Sequence, residues 1–409
     1  MEIHFWQLPE DRNYVILKEA LKEKIVRTLE TKRYPWKFRD RFKNRKISLK
    51  KLKHISKNEN FSLKNIEKNI IWIGGNNSKG LSYPKIPFRM GTRSSARFIA
   101  AIINDGTLTR KKYGGYGRLM YDNYDIFLRN SVIKDYLNTF GGKDDEVAYR
   151  ENKNKKYLEF SSVMRDIVKL IIKSSGSKAE SNLDVPNFVF ESKKTKIGWI
   201  EQTIADEGEV KYYPKKYRRS IVWRRSLDVT GALKNERNLK ETSIRKLPLR
   251  LQQIVENQKC KLIENEKKML ESLGIDYSIY NLGIYLTCTN KIRTRWQISI
   301  TKRKNLLHLR KLIKIPSKVK EIKFTKLTKE FVRSKEPLKI KNALLTVGRN
   351  GKIFTSVDLK SKMNYKNTAC AMKWIHIFEK QGLVEKVRDS IYGGRSYRQP
   401  AQYKLILNK

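Results

Sequence analysis

Histidine and cysteine are both scarce in this 409-residue chain, which holds four of the first and three of the second. Cys260, Cys288 and Cys370 are odd in number and far apart, so they form neither a C-x-x-C pair nor a disulfide framework. His4, His54, His308 and His376 are equally scattered, which excludes a zinc site of the usual ligand spacing. Any bound metal must then rest on carboxylate oxygens, which points to a hard ion such as magnesium. Long apolar runs are also missing. None approaches the roughly 18–20 residues of a spanning helix, so no membrane segment is expected. The opening Met1–Glu10 lacks the basic-then-apolar order of a secretion signal, and an intracellular place is expected, in the cytoplasm with the nucleoid or in an organelle. No Cys, Ser or Asn of the splicing type stands at either end, which argues against an intact intein.

Acidic residues are the third shortage. Asp and Glu number 41 against 90 Lys and Arg, for a formal charge of +49. Hydrophobic residues still make up 39% and aromatics 10%, ample for packed cores, so the chain is not a disordered polycation. A folded chain of this charge implies a polyanionic partner, because counterion release from nucleic acid supplies much of the affinity. The length predicts two to four domains at roughly 100–200 residues each.

Four segments follow from the pattern. Residues 1–90 read as a helical region: a helix from Tyr14 to Arg33 and two short amphipathic helices, Ser48–Ile55 and Ser62–Ile71, suggesting a helix-turn-helix. Gly74, Gly75, Gly80, Pro84 and Pro87 then mark a linker. Residues 91–190 and 191–328 share one order, helix–hairpin–helix–hairpin–helix, about 100 residues apart. The second copy carries one long helix, Leu249–Leu273. Residues 329–409 read as three helices followed by a hairpin, the order of a winged helix whose third helix would enter a major groove.

The sharpest signal is a pair of acids, Asp105 before Gly106 and Glu207 before Gly208. Each ends a short apolar helix and precedes a basic hairpin. An acid at a helix C-terminus is unfavourable by about 0.3–1 kcal/mol, and a divalent cation would compensate it. The glycine permits a left-handed turn out of the helix.

At these residues the sequence resembles the LAGLIDADG homing endonucleases in their two-motif, single-chain form. Phe98-Ile-Ala-Ala-Ile-Ile-Asn-Asp-Gly106 follows the nine-residue motif, with Ala100 at its small-residue position. Trp199-Ile-Glu-Gln-Thr-Ile-Ala-Asp-Glu-Gly208 resembles the variant ending in Glu-Gly, and departs from it by placing Gln202 where a small residue is usual. The resemblance covers about residues 92–325. It implies an α+β fold of two pseudo-symmetric αββαββα half-domains forming a DNA-binding saddle, with the terminal regions as accessory DNA-binding parts. It further implies that Asp105 and Glu207 meet beside the scissile phosphates and hold magnesium, with Ala100, Ala101 and Ala205 letting the helices approach. The family places a basic residue near each centre, and Lys178 and Lys318 stand where these are expected, Lys320 being equally close for the second. The hairpins would lie along the major groove. Strand alternation aims about half of their polar residues at DNA. Thr109, Arg110, Lys112, Tyr113 and Arg118 are the expected contacts of the first, and Lys211, Tyr213, Lys216, Arg218 and Arg224 of the second. Thr107, Lys111, Lys215, Arg219 and Arg225 stand among them. Trp199 and Trp223 are expected in the core.

The expected activity is metal-dependent, site-specific cleavage of both strands of duplex DNA by a monomer, serving intron or intein mobility. Two alternatives share the fold: a catalytically silent DNA-binding regulator, and a maturase whose partner is intron RNA.

Overall fold

The computed structural model describes every residue except 44–45, 76–78, 110–116, 153–154, 174–179, 214–217, 235, 237–241, 334–335, 366, 394–396 and 407–409. Two compact units emerge, Met1–Thr328 and Lys329–Lys409. The class is α+β, with helices set against small antiparallel sheets. Among the described residues no helix is long and apolar enough to cross a membrane.

The first ninety residues are not purely helical. They hold β1 (Glu2–Ile3), β2 (Tyr14–Leu17), α1 (Glu19–Thr31), α2 (Trp36–Lys43), β3 (Ile47–Ser48), α3 (Leu49–Asn58), α4 (Leu63–Lys68), β4 (Ile70–Gly74), β5 (Leu81–Ser82) and β6 (Phe88–Arg89). The run from Tyr14 to Arg33 therefore splits. Val15 and Leu17 are buried alternately, the period of a strand, while Leu21, Ile25 and Leu29 line one face of a helix. Of the glycines and prolines in 74–87, Gly74 ends β4 and Pro84 bridges to Gly141, so this stretch is tied into the fold rather than a free linker. The region is anchored on the next segment by Asp166, which accepts two hydrogen bonds from Arg12 at 2.7 and 3.0 Å and one from Asn13 at 3.1 Å.

Next come α5 (Arg93–Asp105), β7 (Gly106–Leu108), β8 (Leu119–Asp122), α6 (Ile126–Phe140), β9 (Ala148–Asn152), β10 (Lys155–Phe160) and α7 (Ser162–Ile172). A second series follows: α8 (Lys193–Asp206), β11 (Gly208–Tyr213), β12 (Arg218–Asp228), α9 (Leu249–Asn257), α10 (Lys261–Ser272), β13 (Ser278–Leu286), β14 (Ile292–Ile300), α11 (Arg303–Leu312) and α12 (Lys318–Arg333). The long helix expected at Leu249–Leu273 is two, broken around Gln258–Cys260. The two four-stranded sheets have matching orders, β7-β8-β10-β9 and β11-β12-β14-β13, all antiparallel. In the first series Phe98, Tyr136, Phe140 and Phe160 pack ring against ring and are buried. Trp199 and Trp223 fill the second core.

The second unit holds the last part of α12, then α13 (Glu336–Val347), β15 (Phe354–Thr355), α14 (Ser356–Met363), α15 (Thr368–Lys380), β16 (Val384–Arg388), β17 (Ile391–Gly393), β18 (Tyr397–Gln399) and β19 (Gln402–Leu405). Its helices close over a three-stranded sheet, β15-β19-β16, on a core that includes Leu344, Phe354, Leu359, Ile375, Phe378 and Tyr403. Thr355 caps α14 through the N–H groups of Val357 and Asp358.

Candidate functional site

Both motif helices start from a hydroxyl cap. Thr92 caps α5 and accepts from the Ser95 N–H at 3.0 Å, and Ser192 caps α8 and accepts from Thr195 at 3.2 Å. The helices pack lengthwise against each other, with Ala100, Ala101 and Ala205 buried. They come close at Gly198, where a Cβ would lie 2.5 Å from the Arg93 carbonyl. Glycine at 198 thus supplies the room that Gln202 does not. At the other end, Gly106 is extended at φ −81° rather than left-handed. Its need is steric: a Cβ there would fall 2.5 Å from the Ile102 carbonyl, and one at Gly208 would fall 2.5 Å from that of Ile204.

The seam is polar as well as small. Glu201 on α8 is fully buried and takes Arg93 Nε at 2.8 Å, a second Arg93 nitrogen, and the Lys314 N–H at 2.6 Å. Arg97 stands 3.6 Å away and pairs with the buried Asp135.

Asp105 is the last residue of α5, and Asn123 on the adjoining segment donates to its Oδ2 at 3.0 Å. Glu207 caps the end of α8, exposed, with Arg225 Nη1 3.5 Å from its Oε1. The residues preceding these acids touch. Asn104 Nδ2 donates to Asp206 Oδ2 at 2.9 Å, and Tyr121 and Gln202 donate to the same carboxylate at 2.7 and 3.0 Å. Desolvation, and then the charge of Asp105, push the Asp206 carboxyl up to about 8, against those three donors. Lys320 Nζ rests on the last carbonyls of α8, 2.5 Å from Ala205 O and 3.3 Å from those of Ile204 and Asp206. Desolvation lowers its pKa, and Asp206, Asp105, Glu207 and Asp125 oppose that fall. One ammonium group therefore lies in the field of both acidic tips, and it supplies the cation that a helix C-terminus favours.

The raised Asp206 carboxyl has a measurable consequence. The native state keeps this proton up to about pH 8, while an unfolded chain releases it near pH 4. The stability it contributes is complete below about pH 4 and is lost as pH rises through 8. Urea midpoints in chelator should fall between pH 5 and pH 8.5, at no more than about 1.4 kcal/mol per pH unit, and Asp206→Asn should flatten that decline.

Of the other residues expected at the site, Lys318 points elsewhere, its ammonium 4.7 Å over the Phe127 ring. Lys178 lies outside the described residues, as do Arg110, Lys112, Tyr113 and Lys216. Arg218 begins β12, but its side chain is outside the described set. Thr109 accepts from the Arg118 N–H at 2.7 Å, and the Arg118 guanidinium pairs with Glu159 at 3.3 Å. Lys211 and Tyr213 alternate with buried Val210 along β11. Arg224 is exposed and donates to Gln297 at 3.0 Å. Arg225, one residue on, faces inward. It is buried on Glu266 and reaches Asn104 Oδ1 at 2.8 Å, so it is not a groove-facing cation. The sequence pointed to no role for Asn104, Tyr121, Asp206 or Glu266, marked Gln202 only as a departure from the motif, and placed Arg225 only among the hairpin cations. A polar residue just before each acid, inside an apolar helix, was the visible clue.

Asp105 and Glu207 supply hard oxygen donors in the number magnesium prefers, one or two carboxylates with water and phosphate oxygens completing the shell. Among the described residues no three or more His, Cys, Asp or Glu cluster as a self-sufficient metal cage.

No protein-family model and no curated protein sequence matches this chain. The homing endonuclease I-WcaI, solved bound to its DNA recognition sequence, aligns over 56% of this chain and 85% of its own, with 13% identity and a TM-score of 0.31.

Proposed function

We propose that this chain is a metal-dependent DNA endonuclease of the LAGLIDADG homing type, working as a monomer that carries both catalytic halves. The observation that supports it most is the 2.9 Å bond between Asn104 and Asp206, since these residues immediately precede the two acids at the ends of packed helices. The matching sheet orders on either side support a pseudo-symmetric pair of half-domains. In this reading Asp105 and Glu207 each hold a magnesium ion. A bound divalent ion supplies a Lewis acid for the phosphate and an activated water. Asn123 orients Asp105, Arg225 orients Glu207, and Lys320 stabilises charge at the end of α8. Lys211, Tyr213 and Arg224 face the duplex from the second sheet. The Lys329–Lys409 unit acts as a winged helix, with α15 as its reading helix.

The test is a plasmid carrying the joined flanks of the reading frame, incubated with magnesium or with chelator. Linear product with magnesium alone is expected. Absence of both nicked and linear product overturns the nuclease reading, and selective retention on structured RNA at moderate salt would favour the maturase instead.

A further inference from the structure

Asn104 and Asp206 occupy corresponding positions when Gly106 is set on Gly208, yet they are chemically different. Their contacts explain the difference. Asn104 Oδ1 accepts from Arg225 Nη1 at 2.8 Å, while its Nδ2 donates to Asp206 at 2.9 Å. Asp206 Oδ1 in turn accepts from Tyr121 at 2.7 Å. Arg225 belongs to β12 and Tyr121 to β8, so each sheet reaches across to the other half's helix. The chain Arg225–Asn104–Asp206–Tyr121 thus crosses the seam from both sides, directly behind the acidic tips. Arg225 and Tyr121 are buried, which shields these bonds from competing water.

We propose that Asn104 and Asp206 form a positioning pair between the halves, one amide against one carboxylate, that sets the separation of Asp105 and Glu207. The proposal rests on the nuclease reading for its catalytic consequence, and on the hydrogen bonds alone for its structural one. An amide is the side chain that accepts on one atom and donates on the other. Two carboxyl groups would set acceptor against acceptor across the seam unless a proton lay between them, and a second amide would turn its donor either toward Asn104 or toward Tyr121 and Gln202. One of each satisfies every partner, in either arrangement. With Asn104→Asp and Asp206→Asn combined, the new carboxylate still accepts from Arg225. The new amide then donates across the seam and accepts from Tyr121 and Gln202.

The experiment is a double-mutant cycle on the full-length protein, read by melting temperature, by manganese titration followed by electron paramagnetic resonance, and by the rates of nicking and linearisation. Asn104→Asp alone should lower the melting temperature and slow the cutting of both strands by about 10- to 100-fold, the usual cost of losing an orienting partner. The exchanged pair should return both readouts close to wild type. Asp206→Asn alone should weaken manganese binding by about 10- to 100-fold, the usual cost of losing an orienting partner, and Asn104→Asp should weaken it to a similar extent. Losses in the exchanged pair equal to the sum of the single losses overturn the proposal. So does complete loss of manganese binding in Asp206→Asn that the exchanged pair does not restore while Asn104→Asp binds normally, which would make Asp206 a ligand. If wild-type protein cuts no DNA, the nuclease reading falls, while the melting cycle still decides whether the pair exists.

Discussion

Asp105→Asn and Glu207→Gln are each expected to abolish double-strand cleavage while duplex DNA is still retained on a filter. Both substitutions keep the shape and remove the charge. Losing one carboxylate from a magnesium site that has only one or two removes several kcal/mol of transition-state stabilisation, or about three orders of magnitude in rate. The assay follows supercoiled, nicked and linear plasmid together, so a variant that cuts one strand at wild-type rate is distinguished from one that cuts neither. For Asp105→Asn, stability above about pH 8 should move the other way, because the charge of Asp105 is one of the forces pushing the Asp206 carboxyl up and its removal relieves their repulsion once both are ionised. A higher melting temperature beside lost cleavage is the expected signature of a residue kept for chemistry rather than folding. Wild-type cutting by either variant would show that its acid is not a ligand.

The second large effect concerns Arg225. Glu266 is fully buried and accepts from Arg225 Nε at 3.2 Å, from a second Arg225 nitrogen, from Trp223 Nε1 at 2.8 Å and from Trp199 Nε1 at 3.4 Å. Burial alone would lower the Arg225 pKa, but Glu266 and then Glu207 raise it, so the guanidinium stays charged. Arg225→Met strands the Glu266 carboxylate in the core and should cost about 3–5 kcal/mol of unfolding free energy. Arg225→Met combined with Glu266→Gln removes both charges at similar volume and should recover most of that loss. Urea unfolding followed by tryptophan fluorescence measures both variants, since two indoles donate to this carboxylate. A mild single variant, or a double variant no better than the single, would show that the pair is not holding the core.

Local periodicity sets how much of the fold is legible in the sequence. The helix Ile126–Phe140 and the strand Val384–Arg388 have the bounds their patterns suggest, because apolar spacing and flanking turn residues agree there. Tyr14–Leu17 misled because a short strand was joined to a following helix, and its pairing with β3 and β4 depends on residues far along the chain. At the site, the acids at Asp105 and Glu207 stood out as anomalies of placement. Arg225 did not, because a basic residue in a basic hairpin looks like its neighbours until alternation turns it inward. Lys320 and Lys318 are two residues apart on one helix, and only side-chain direction separates the one on α8's carbonyls from the one over Phe127.

The buried Glu201 makes the two series unlike each other at their seam. It faces Arg93 across the seam, and in the aligned copies position 93 matches Thr195 while position 201 matches Ile99. A symmetric assembly of two second halves would bury a pair of carboxylates opposite threonine, and two first halves would set arginines against isoleucine. On the proposed two-half reading, segments that specialise in this way lose the option of self-association, and each depends on staying fused to its dissimilar twin.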